Sequence, residues 1–157
     1  MKFRLIHQRV CSMAFSETIR RLITNAWEDG YVCLLGTAGE DGPNISPKGS
    51  MMLFDDEHLA YWERSKKQAL ANLNHDKRVI VVYSNMQAQR DKVLESGILR
   101  FYGTAELHES GPIHDAIFAR LNERESTHDG ADTGVGVLIR IDRAQDVRGK
   151  PITIPHR

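Results

Sequence analysis

The stretch YVCLLGTAGEDGPNISPKGSMMLF, residues 31–54, decides how the chain is read. YVCLLGTA (31–38) is a short apolar run and reads as a buried strand. GEDG (39–42) carries the Asp-Gly signal of a hairpin turn. PNISPKGSMMLF (43–54) reads as the returning strand, with Ser46, Lys48 and Ser50 on one face and Ile45, Pro47, Gly49, Met51 and Leu53 on the other. Pro47 cannot donate to a ladder, so this strand belongs at an edge or bulges there.

Outward from this hairpin the pattern repeats. DDEH (55–58) is a turn and LAYWE (59–63) a short strand. KRVIVVYSN (77–85), GILRFYGTAELHE (97–109, with Gly103 marking a bend or bulge) and VGVLIRIDRAQDV (135–147) complete six strands. Three helices are predicted. One spans about 16–28, capped by Ser16, with Ile19, Leu22, Ile23 and Ala26 inward. The others span about 65–74 and 111–123, the last with Pro112 early and Ile113, Ile117, Phe118 and Leu121 inward. Residues 86–96 and 124–134 read as polar exposed loops. Short turns between successive strands and the lack of a βαβ rhythm predict a mainly β (α+β) fold: a six-stranded, mostly antiparallel split barrel with flanking helices. Residues 1–14 show no period and read as a loose extension, and 15–157 as a single domain. Residues 1–12 and 124–134 are the segments expected to be least ordered.

Composition bounds the function. The 157 residues are 41% hydrophobic, enough for one core. Basic and acidic residues balance at 21 each, so no excess positive field points to nucleic acid, and any bound anion must be held by a local cluster. Cys11 and Cys33 match no metal or redox spacing, and the seven histidines are scattered without a ligand pattern, so no metal site is predicted. His75 and His114 read as surface residues. No apolar run approaches ~20 residues and the N-terminus lacks a secretory h-region, so a cytoplasmic protein away from the membrane is expected.

The stretch ERSKKQALANLNHD (63–76) carries the chemical signal. Ser65 stands where a helix cap belongs, yet Lys66 and Lys67 follow it at the end of the helix where the dipole favours acids. Two readings compete. The bland one is a solvated turn, with Glu63 pairing locally with one lysine. The other is a phosphate cradle of first-turn N–H groups, a hydroxyl and two cations. Tyr61 and Trp62 just before it, and Ser46, Pro47 and Lys48 on the preceding strand, are what a flat aromatic cofactor with a phosphate tail would need. Ordinary core packing is the plain alternative for at least one of the two aromatics.

GTAGEDGPNISPKGS, LAYWERSKKQALANLNHDKRVIVVY and ILRFYGTAEL, in that order, resemble the pyridoxamine 5'-phosphate oxidase-like family of FMN-binding split barrels, over about residues 16–147. The resemblance implies that Ser65, Lys66 and Lys67 hold the FMN phosphate, that Tyr61 and Trp62 lie beside it, and that Ser46, Pro47, Lys48, Gly49, Ser50 and Met51 run along the flavin. It places Arg100 either at a partner subunit's cofactor site or in solvent, and it implies a homodimer with the cofactor at the interface. The chain departs from the true oxidases in ending RGKPITIPHR with no Trp after Trp62, which removes support for pyridoxal phosphate synthesis. No catalytic dyad is visible, which suits a cofactor that does the redox chemistry itself. Three function classes follow: an FMN-dependent oxidoreductase acting on a small substrate, a non-catalytic FMN carrier or sensor, and a split barrel that binds haem or the deazaflavin F420.

Overall fold

The computed structural model describes residues 13–155; the expectations for residues 1–12, including Cys11, lie outside them. Seven strands form one antiparallel sheet: β2 (Cys33–Gly39), β3 (Gly42–Lys48), β4 (Met52–Leu53), β5 (His58–Glu63), β6 (Arg78–Ser84), β7 (Ile98–His108) and β8 (Val135–Asp146), in the order β3-β2-β6-β7-β8-β5-β4. A separate two-stranded ladder pairs β1 (Met13–Ala14) with β9 (Ile154–Pro155), so the end of the N-terminal stretch is tied to the C-terminal one.

The two edge strands of the large sheet, β3 and β4, are consecutive in the chain and joined by residues 49–51 alone. Laid flat, seven strands would put the edges about 29 Å apart, whereas the four steps from Lys48 to Met52 reach at most about 14 Å. The sheet must therefore curl until its edges approach, which is the barrel-like form expected. The strand read over 43–54 is thus two strands, and this accounts for seven rather than six. The break also changes which side chains face in. Ile45 and Pro47 are exposed, whereas Met51 and Leu53, placed on their face by strict alternation, are buried. Gly49 suits the crossing, because a Cβ there would press on Trp27 and Arg124.

The β2–β3 hairpin closes through Glu40 and Asp41, with Gly42 at φ +102. Gly103 sits at a register shift between β7 and β8, where a Cβ would overlap the Arg140 carbonyl. Only glycine lets those strands approach there.

Five helices flank the sheet. In α1 (Glu17–Thr24) the Ser16 hydroxyl caps the helix by accepting from the Ile19 N–H, and Ile19, Leu22 and Ile23 are buried. They close the barrel interior with Leu35, Tyr61, Tyr83, Phe101 and Ile139. α2 (Gln68–His75) covers the same core with Ala69 and Leu73, and its buried Asn72 donates to Thr37 on β2. α4 (Pro112–Ala119) lies outside β5 and β8, where Ile117 packs with Met52, Ala60, Trp62 and Leu138 in a second core. The segments read as exposed loops are partly ordered by buried anchors. Residues 86–96 contain α3 (Met86–Arg90), with Ala88, Leu94 and Ser96 buried. Residues 124–134 lie in α5 (Glu123–Ser126) and a 3₁₀ turn (Ala131–Thr133), with Glu125 and Ala131 buried.

Candidate functional site

The site grows from the opening between the two edges of the curled sheet. β4 covers only the first part of β5, pairing Met52 with Ala60 and Leu53 with Leu59, so residues 61–63 have no β4 partner opposite them. Ser50, in the crossing, serves this bare edge: its Oγ accepts from the Trp62 N–H at 2.9 Å and donates to the Trp62 carbonyl at 3.4 Å. Lys48 spans the same opening. Its Nζ donates to Glu63 Oε2 at 2.6 Å and lies 5.1 Å from the centre of the Tyr61 ring. The pair is enclosed, with 10% of the Lys48 side chain and 2% of the Glu63 side chain exposed. Glu63 is held from its other oxygen too, since Ser65 Oγ donates to Oε1 at 2.9 Å.

That hydrogen bond corrects the reading of Ser65 as the helix cap. The capping position of α2 is Lys67, which makes no side-chain cap bond, and the helix starts at Gln68. No acid stands in the first turn. The start of α2 thus presents backbone N–H groups with neither a side-chain acceptor nor a balancing carboxylate, beside exposed Lys66 and Lys67. Lys66 is held at φ +49, a conformation that is unfavourable by about 1 kcal/mol for a residue with a Cβ. The bland expectation that Glu63 pairs with one of these lysines does not hold: Glu63 pairs with Lys48.

A cleft of about 100 Å³ opens beside this cluster, between Pro47, Lys48, Gly49 and Ser50 on one side and Trp62, Glu63, Arg64 and Ser65 on the other, with Glu125 behind. Glu125 draws α5 onto the crossing. It binds Arg124 Nη2 at 2.6 Å and stands 3.5 Å from Arg64 Nη1, which has no hydrogen-bond partner. Arg124 in turn stacks on Trp27, 4.4 Å from the ring centre. The role of Glu125 was not legible in the sequence, because nothing local marks an acid in a polar loop as buried.

The remaining expected residues are distributed as follows. Tyr61 faces the barrel core with its hydroxyl buried and unpartnered, and burial, with the Glu63 carboxylate nearby, pushes its pKa far up. Trp62 faces the other way, into the second core, against Phe118 and His114. His114, read as a surface residue, is half-buried in this contact. The Ser46 hydroxyl is also buried without a partner. Met51 is in the core. Arg100 is remote from the lysines in the sheet: on β7 it is paired with Val82 and Gln145, and it lies beside the Tyr102 phenol, whose pKa it lowers, helped by Arg143. Among the described residues no group of three or more His, Cys, Asp or Glu could hold a metal, and no helix is long and apolar enough to cross a membrane.

The outer face of the sheet is apolar where it would ordinarily be polar. Register places Pro47, Leu34 and Val82 in one row, which continues to Arg100, and Ile45, Gly36 and Ile80 in the next, which continues to Tyr102 and Arg143. Ile45 is 71% exposed and Leu34 36%.

Known proteins agree with this architecture. In the solved structures, a point variant of HupZ from Group A Streptococcus aligns with a TM-score of 0.64 at 25% identity, covering 85% of this chain and 99% of its own. An FMN-binding protein from Syntrophomonas wolfei aligns with a TM-score of 0.58 at 15% identity, covering 82% and 86%. HutZ, the haem storage protein of Vibrio cholerae, aligns with a TM-score of 0.62 at 14% identity, covering 85% and 95%. No curated protein matches. The sequence matches the family described as pyridoxamine 5'-phosphate oxidase over residues 17–147, which takes in the whole seven-stranded sheet and the helices that flank it, and the chain belongs to that family.

Proposed function

We propose that the protein binds FMN between two copies of itself and uses it to oxidise or reduce a small molecule. The observation that carries this reading is the start of α2: an uncapped helix end with no acid in its first turn, flanked by two exposed lysines, one in left-handed backbone. Such a start favours an anion through its dipole, its free N–H groups and its cations together. The residues fit the phosphate end of FMN. Lys66, Lys67 and the first-turn N–H groups would hold it. β3, paired only with β2 among the described strands, offers an unpaired backbone edge from Ser46 to Lys48 for the ring.

One chain does not supply the whole pocket. The cleft at the opening is about 100 Å³, against roughly 300–1,000 Å³ for small-molecule sites. The exposed row of Leu34, Ile45 and Pro47 borders the same edge strand, and a second copy laid on it would bury that surface and enlarge the site. When bound, FMN supplies hydride or electron chemistry through its isoalloxazine. The protein's part is to bind and orient it, and no acid–base residue is assigned.

The test is the absorption spectrum of the purified protein, with mass identification of the released ligand and light scattering. The expected result is the two-band flavin spectrum from a dimer, with Ile45→Glu giving monomers. A Soret band, or the single violet band of a deazaflavin, would overturn the FMN reading. Steady reduction by NADH or NADPH with turnover separates an enzyme from a carrier or sensor.

A further inference from the structure

Three features outside the α2 lysines were candidates for a function. The groove between α1 and the C-terminal segment borders residues next to the undescribed N-terminus. The shallow surface over Trp62, His114 and Asp132 holds no unpartnered buried group. The cluster at the opening goes further, because two groups suited to a phosphate are already bound to a carboxylate.

We propose that Glu63 is an internal anion that occupies part of the phosphate cradle and must be displaced before Lys48 and Ser65 can serve a ligand. The inference rests on the FMN reading above and adds a residue that sets the affinity. Its basis is geometric. Glu63 takes the Lys48 ammonium on one oxygen at 2.6 Å and the Ser65 hydroxyl on the other at 2.9 Å. A phosphate would make the same two kinds of contact, a charge-assisted bond from an ammonium and a bond from a hydroxyl. Ser65 directly precedes the two free lysines in the chain, so the donors that Glu63 holds and those it leaves free belong to one segment. Glu63 sits at the end of β5 with its side chain 2% exposed, so its carboxylate has little access to water that could replace these partners. An incoming phosphate gains Lys48 only by taking it from Glu63. In the unmodified protein its hold therefore comes chiefly from Lys66, Lys67 and the helix start. Glu63 is thus an affinity-setting residue and touches no reacting atom.

The test compares FMN with riboflavin, which lacks the phosphate, by flavin fluorescence quenching on the unmodified protein, Glu63→Gln and Glu63→Ala. Glu63→Gln keeps the shape and removes the competing charge, so FMN should bind about tenfold more tightly while riboflavin is unchanged. Glu63→Ala should change the two ligands in the same order. In the unmodified protein, the nitrogen-NMR signal of the Lys48 ammonium should move when FMN is added and stay in place with riboflavin, which keeps the question answerable if neither variant folds. If FMN binds the unmodified protein and Glu63→Gln leaves its affinity unchanged, or tightens both ligands equally, the internal anion is refuted while the FMN reading stands. An ammonium signal that saturating FMN leaves unmoved refutes it as well. If no form binds either flavin, both readings fall.

Discussion

Trp62 Nε1 donates to the Ala131 carbonyl at 2.8 Å, a buried bond between residues 69 positions apart that fixes the 3₁₀ turn against β5. The indole also fills the space beside Gly134, where any Cβ would overlap it. One side chain thus anchors the segment 124–134 whose composition reads as a free loop. Trp62→Phe keeps an aromatic ring but leaves the Ala131 carbonyl without its donor. It should lower stability by about 2 kcal/mol in urea unfolding and speed amide exchange across 127–134 more than elsewhere. Unchanged exchange in that segment would show that other contacts hold it.

The Lys48–Glu63 pair should show strong coupling. Lys48→Met leaves Glu63 buried without its cation, which should be destabilising by about 3–5 kcal/mol. Lys48→Met combined with Glu63→Leu removes both charges and should recover most of that loss. Denaturant unfolding of the two single variants and the double variant measures this. Simple addition of the single losses would mean that the pair does not fasten the opening.

Cys33 should be inert in the folded protein and reactive only on unfolding. Burial pushes its thiol from 9.0 up to about 12. The neutral thiol is kept in the fold while the unfolded chain ionises, so this contribution to stability is whole below pH 9 and is lost as pH rises toward about 12. The slope approaches about 1.4 kcal/mol per pH unit within that window, and Tyr61, also raised by burial, steepens it at the alkaline end. Cys33→Ala should flatten the fall in melting temperature above pH 9. Thiol labelling at mildly alkaline pH should follow global unfolding, and rapid labelling of native protein would contradict the burial.

The double change Lys66→Ala/Lys67→Ala should weaken FMN by about ten- to hundredfold at low salt, with the difference shrinking as salt rises. Both lysines are exposed and stand at the end of α2 that repels cations, so the ligand-free protein should melt at the same temperature or slightly higher. Titration by fluorescence quenching beside melts of the ligand-free form reads both effects. Equal FMN affinity in the double variant would reduce the lysines to a solvated turn.

Local sequence determined the strands and most of the helices. Apolar runs and alternation placed β2 and β5 to β8 to within a few residues, because those segments pair and bury by period. Ser16 marked its helix and Gly42 its hairpin, because a cap and a positive-φ turn act over a few residues. The family was legible too, since its motifs lie in those same segments. Tertiary structure decided whatever depends on a distant partner. Residues 49–51 break a strand that alternation would continue, because the chain must cross from one edge of the curled sheet to the other. Ser65 leaves the helix cap because Glu63 accepts its hydroxyl, and Glu63 is in place because Lys48, fifteen residues earlier, reaches across the opening. Tyr61 and Trp62, adjacent in sequence, enter different cores because neighbouring strand residues face opposite sides and both sides of β5 are covered. Glu125 and Ala131 are buried by Arg64, Arg124 and Trp62, contacts that no local pattern encodes.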